Sequence, residues 1–166
     1  MNAASAVPVQ NPRPAASLAG KYLTFILQDE SYGIEVLKVR EIIRNISIST
    51  VPQMPEFIRG VINLRGKSIP VLDVRRWLGF AGATNTDQTC IVVQVELPDG
   101  KATRLGMVVD GIGDVISFND DDIEKKADWG GRIATDYVAG LAKFKGMIKV
   151  LLDVNRLVET VACITL

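Results

Sequence analysis

Three places in the 166-residue chain carry side chains in spacings that chemistry uses, and each lacks a member. Asp110-Gly111-Ile112-Gly113-Asp114 contains the G-x-G of a phosphate-cradling loop, but Ile116 stands where a third glycine would be needed and no helix start follows to offer amide donors. It reads as a turn ending a strand. Asp120-Asp121-Asp122-Ile123-Glu124 has the carboxylate density of a calcium loop, yet Lys125 replaces the obligatory glycine and the closing glutamate is missing. Asp121 and Glu124 instead stand at capping-box spacing, which predicts a helix start. Cys90 and Cys163 lie far apart with no C-x-x-C spacing, so both read as reduced thiols, and Cys90, opening the run Cys90-Ile91-Val92-Val93, reads as a small buried hydrophobe. The chain has no histidine, which removes Ser/His and Cys/His nucleophile pairs, the H-E-x-x-H zinc site and the commonest general base. No two carboxylates share a context that would raise one pKa and leave the other low. Catalytic, cofactor-binding and metal-ligating residues are therefore all expected to be none.

The charge distribution directs attention to protein partners. Lys plus Arg and Asp plus Glu number 19 each, so no net field draws the chain to nucleic acid or to an anionic membrane. Locally the signs separate. Arg59, Arg65, Lys67, Arg75 and Arg76 face only Asp73 between positions 59 and 76, whereas positions 110 to 128 hold seven acids against Lys125 and Lys126. Aromatic platforms for stacking bases are sparse beside the basic stretch, where Trp77 and Phe80 stand and Trp77 is read as core. Complementary local charge that orients a protein partner fits the pattern better. No apolar stretch approaches the length of a membrane span and no export signal opens the chain, so membrane insertion is not expected and the location is read as cytoplasmic.

The elements that must carry these charges are short strands. Residues 1–20 hold Pro8, Pro12 and Pro14 among Ala, Asn and Ser, too few large apolar groups to offset ordering entropy, and read as a disordered tail. Three hairpins follow: Tyr22 to Leu27 with Tyr32 to Val36, Val61 to Leu64 with Ser68 to Leu72 across Arg65-Gly66-Lys67, and Cys90 to Leu97 with Leu105 to Val109 across Asp99-Gly100. The sequence also repeats at an offset of eighty residues. Gly60-Val61-Ile62-Asn63-Leu64-Arg65-Gly66 lies over Gly140-Leu141-Ala142-Lys143-Phe144-Lys145-Gly146, and Val71-Leu72-Asp73-Val74 over Leu151-Leu152-Asp153-Val154. Both copies end strand, Leu-Asp-Val, helix, with the aspartate placed to accept from the free amides of the first helical turn. The expected fold is mostly β: two five-stranded antiparallel barrels closed by short helices, spanning residues 21–160, with a boundary between 78 and 89 and a C-terminal tail at 161–166.

The stretch Phe57 to Arg75, with its pattern G-V-x-N-L-R-G-x-x-x-P-V-x-D, resembles the CheW family of chemotaxis coupling proteins, and the segments Tyr32 to Ile42 and Gly106 to Val115 agree with it. The resemblance runs from about Lys21 to Glu159. It implies two intertwined SH3-like barrels and a non-enzymatic adapter without cofactor, bridging the cytoplasmic hairpin tip of a chemoreceptor to the regulatory domain of the histidine kinase CheA. Further copies of the coupling protein in a receptor array are partners it also implies. Receptor contacts of the family fall on Val39, Glu41, Gly60 and Arg65, and kinase contacts on Asp128 and Trp129. An enzyme-like or ligand-sensing barrel is the alternative class, which a deep polar pocket would announce. The same adapter serving surface motility or gene regulation is the nearer alternative.

Overall fold

The computed structural model describes residues 17–79, 89–125 and 137–165, with side chains as far as Ala162. The three anticipated hairpins form. They are β1 (Gly20–Leu27) with β2 (Glu30–Glu35), β4 (Ile58–Leu64) with β5 (Lys67–Asp73), and β6 (Thr89–Glu96) with β7 (Ala102–Val109). Between the first two hairpins lie a 3-10 turn at Val36–Lys38 and β3 (Val39–Arg44). After the third come β8 (Gly111–Phe118), β9 (Ile123–Lys125) and a fourth hairpin, β10 (Val138–Phe144) with β11 (Met147–Leu152). Short α1 (Val74–Trp77) follows β5, and α2 (Val154–Thr165) follows β11. No helix among the described residues is long and apolar enough to cross a membrane.

The eighty-residue repeat is reproduced down to single atoms. Arg65 and Gly66 take positive φ angles of 51° and 83°, and Lys145 and Gly146 take 52° and 78°, the geometry a tight two-residue hairpin requires. The Asp73 carboxylate accepts from the Arg76 amide at 3.3 Å, and that of Asp153 from the Arg156 amide at 3.1 Å, each capping its helix. The Asp73 amide donates to the Phe57 carbonyl at 2.7 Å, and the Asp153 amide to that of Tyr137 at 2.8 Å. Trp77 packs edge-on against Phe57 at 4.5 Å and tilted against Tyr137 at 5.2 Å, so one tryptophan touches both copies of the same position.

The sheets correct the expected boundary. One sheet runs β3-β6-β7-β5-β4 and the other β9-β10-β11-β2-β1-β8, so each is built from both halves of the sequence. The β6–β7 hairpin, from the later half, lies parallel to β5 with Val71 opposite Gly106. The β1–β2 hairpin, from the earlier half, lies parallel to β11 with Leu151 opposite Gly33. Residues 78–89 therefore separate no lobes, and residues 80–88 lie outside the described residues. Both sheets are mixed rather than purely antiparallel, and the three-residue β9 adds a sixth strand to the second. A Cβ on Gly106 would stand 2.8 Å from Cys90 Sγ and 3.3 Å from Val71 Cγ2, and one on Gly33 would stand 3.0 Å from Leu151 Cδ2. A side chain at either position would have to displace these neighbours, so glycine eases the close packing of each exchanged strand.

Three apolar cores follow from the two-residue strand period. Cys90, Val92, Val71, Ile62, Ile69 and Val108 fill the first barrel, and Tyr22, Ile116, Phe118, Ile123, Ala142 and Leu151 fill the second. The alternate residues, among them Ile91, Val93, Leu72, Leu23, Leu152 and Met107, face a third core between the barrels. A strand buried on both faces reads as an unbroken apolar run, and Cys90 to Val93 is one.

Two expected tails shorten. Leu18 packs on the second-barrel core and its carbonyl accepts from the Tyr22 hydroxyl at 2.7 Å, while residues 1–16 lie outside the described residues. At the other end α2 continues to Thr165, because Leu157, Val158 and Val161 at helical spacing are buried in the inter-barrel core. The acidic run also shifts register. Asp122, not Glu124, makes the capping contact, accepting from the Asn119 amide at 2.9 Å over a 3-10 turn at Asp120–Asp122, and Glu124 belongs to β9.

Burial pushes the Cys90 thiol up to about 12, against a smaller opposing effect of its hydrogen bond with the Met107 backbone. In a Cys163→Ser background, Cys90 is expected to react with an aromatic disulfide on the order of 100-fold more slowly than a free thiol until denaturant opens the barrel. Fast stoichiometric labelling in buffer would contradict this packing.

Candidate functional site

The first sheet must curl for its edge strands β3 and β4 to meet, and an ion pair marks where they do. Arg65, in the β4–β5 turn, donates through Nη1 to Glu41 Oε1 of β3 at 2.7 Å. Glu41 stands opposite Val92, a first-barrel core residue, so its side chain belongs to the barrel's inner face at its open end. The pair is solvent-accessible, with 71% of the Arg65 side chain and 29% of that of Glu41 exposed. Such a pair contributes about 0–1 kcal/mol to stability. Arg65 is therefore dispensable to the fold and reachable by a partner. Its positive φ is a property of the turn, because Lys145 adopts the same angle in the other copy.

Val39 lies on the opposite face of β3. It stands across from Val93 and packs at the rim of the inter-barrel core. Ile42, opposite Ile91 and 39% exposed, continues the same face. Together they make an apolar strip along the groove between the barrels, a few residues from the Glu41–Arg65 pair. The family resemblance points to Val39 and not to Ile42, for which alternation with the half-buried Ile43 of β3 was the available signal.

Gly60 occupies neither surface. It is buried in β4 with φ of 148°, beside a register shift between Ile58 and Gly60. A Cβ there would collide with the Ser49 carbonyl, which accepts from the Val61 amide at 2.8 Å, and would stand 2.9 Å from Ile48 Cγ2. The glycine lets the segment after β3 cross β4 at contact distance. Asp128 and Trp129, the expected kinase contacts, lie outside the described residues.

At the other end of β5 from Arg65, Asp73 is almost fully buried. Its second oxygen lies 3.7 Å from Arg59 Nη1 and 3.9 Å from Arg76 Nε, contacts too long to be hydrogen bonds. A second ion pair ties the barrels together: Arg75 of α1 reaches Asp110 at 3.4 Å, and the other Asp110 oxygen accepts from the Gln28 amide in the β1–β2 turn at 2.7 Å. The Asp110 and Arg75 side chains are both mostly buried, at the joint where β7 passes into β8.

Gly60→Ala places a side chain in a left-handed backbone and against a carbonyl, so it is expected to lower unfolding free energy by about 3 kcal/mol. Urea denaturation followed by circular dichroism measures it, and an unchanged midpoint would show that the crossing is looser than described.

The family profile described as "CheW-like domain" matches residues 21–162. The chain is 33% identical over 140 residues to the chemotaxis protein CheW of Klebsiella aerogenes, across 84% of this chain and 82% of that one. It is 27% identical over 139 residues to CheW of Bacillus subtilis, across 84% and 86%. The crystal structure of the scaffolding protein TtCheW from Thermoanaerobacter tengcongensis superposes with a TM-score of 0.71 at 33% identity, covering 82% of this chain and 90% of that one. The reciprocal two-barrel fold, the eighty-residue repeat and these matches agree that the chain belongs to the CheW family.

Proposed function

We propose that this chemotaxis coupling adapter holds the cytoplasmic tip of a chemoreceptor against the open end of its first barrel, and the regulatory domain of a CheA-type histidine kinase on a separate surface. Its family is one of scaffolds rather than enzymes, so its task is carried by differential binding and not by turnover. The observation that carries the receptor assignment is the exposed Arg65 guanidinium, held among the described residues by Glu41 alone and bordered by the apolar strip of Val39 and Ile42. A receptor helix offers the complement: an apolar face for the strip and acidic side chains for the arginine. Val39, Glu41 and Arg65 act as contacts in this reading, and Gly60 acts through the backbone it shapes.

The family resemblance supports Asp128 and Trp129 as the kinase surface, and a tryptophan at such a subunit contact would contribute about 2 kcal/mol or more. Two separate surfaces on one body raise the effective concentration of kinase at the receptor even where each contact is weak. Other copies of the adapter extend the array, and the work is done in the cytosol.

Arg65→Glu is expected to weaken binding to a receptor hairpin-tip fragment by about ten-fold or more while leaving binding to the kinase regulatory domain unchanged. Pull-downs with both fragments measure it. Loss of both partners together would point to misfolding and remove the assignment, and binding of neither partner by the unaltered chain would remove the function.

A further inference from the structure

We infer that the mouth of the first barrel is a carboxylate-binding cleft in which Arg104, together with Arg65, receives an acidic side chain of the partner protein's helix. The inference rests on the receptor-docking reading above and names a contact that neither the basic run at positions 59 to 76 nor the family resemblance supplies.

The strand period places Arg104. On β7, Gly106 and Val108 face the first-barrel interior, against Cys90 and in its core, so Arg104 two residues earlier faces the same way at the barrel's open end. Its cross-strand neighbour Gln94 sits two residues beyond Val92 on β6, also on the inner face. These are positions where a buried barrel would carry apolar plugs. Instead Arg104 and Arg65 line one cleft with Arg40, Glu41 and Leu64, and Arg104 continues into an adjoining depression with Lys67 and Ile69. Cations outnumber carboxylates there by four to one. Their mutual repulsion is relieved by an incoming carboxylate, and Leu64 and Ile69 floor the cleft for the carbon stem that carries it.

Arg104 is also held ready. Its Nε donates to Gln94 Oε1 at 2.7 Å, and its terminal nitrogens have no hydrogen-bond partner among the described residues. A partly buried guanidinium fixed at one edge with the other edge free is a preorganised fork for a carboxylate. Arg65 differs: it is mostly exposed and already engaged with Glu41. The two arginines thus divide the work, Arg65 reaching out and Arg104 fixing the position along the partner. An acid on a helix with a second acid one turn away engages both, because side chains four residues apart share a face.

The test uses the full chain. Arg104→Gln is expected to weaken binding of the receptor hairpin fragment about ten-fold and to flatten the dependence of that affinity on salt, with kinase-domain affinity and circular dichroism unchanged. Arg104→Lys keeps the charge but not the fork and should fall between the two. In parallel, the arginine Nε–H resonances are followed by NMR during titration with a synthetic helical peptide carrying two glutamates four residues apart. Saturable shifts of Arg104 and Arg65 that vanish with the glutamine version of the peptide support the cleft. Should the unaltered chain ignore the receptor fragment while these shifts persist, the cleft stands and the receptor reading fails. Receptor affinity unaffected by Arg104→Gln, or Arg104 resonances that respond to phosphatidylglycerol vesicles or duplex DNA but not to the peptide, would overturn the inference.

Discussion

Each barrel in this chain is completed by a hairpin from the other half of the sequence, and the parallel ladders that make the exchange, Val71 beside Gly106 and Leu151 beside Gly33, are what the remaining architecture rests on. Without them β4–β5 would keep only its own hairpin partner, and a lone hairpin is marginal in water. With them, the β6–β7 hairpin is buried on both faces, one side filling the first barrel and the other the core between barrels. The shared core, the Trp77 cluster and the Arg75–Asp110–Gln28 bridge all lie at the joints that the exchange creates. Removing either exchanged hairpin would open its barrel and strip one wall from the core between them.

A body built this way suits an adapter. An adapter that flexed between its two binding surfaces would lose the effective concentration it exists to provide, because the bound partners would no longer be held in register. Reciprocal exchange turns two small barrels, each of a size that folds weakly alone, into one unit with a large common core. The apolar interior is then free to leave its polar groups at the barrel mouths and hairpin turns. The Glu41–Arg65 pair, the Gln94–Arg104 pair and the apolar strip of Val39 and Ile42 all sit at the edge of the first barrel, where side chains can be exchanged for those of a partner at little cost to the fold.

The local signals in the sequence were strong where the physics is local. Turn chemistry at Arg65-Gly66 and Lys145-Gly146, the aspartate caps and the alternating apolar runs each specify their element within a few residues, and all of them formed. The partner of each hairpin is a different matter. Nothing in the residues of β6 or β7 says that β5 rather than β8 lies alongside, since the parallel pairing is decided by packing across the whole molecule. The one trace is a glycine inside an otherwise apolar strand, at Gly33 and Gly106, the mark of a neighbouring strand pressed close. The acidic run misled for a related reason: several aspartates offered equivalent capping registers, and Asn119 decided among them by ending β8 where it does. Of the candidate site, Glu41 and Arg65 were recognisable from family resemblance. Arg104 was not, because it stands in a strand far from the basic stretch and only parity with Val108 puts it at the same mouth.

The exchanged hairpins make one cooperative body, and native-state hydrogen exchange measures this most directly. Amides of β5 and β7 in the first barrel and of β2 and β11 in the second should open with a single common free energy that falls together as denaturant is added. If one sheet loses its protection while the other keeps its own, the barrels fold independently and the account of the scaffold as a single rigid unit is wrong.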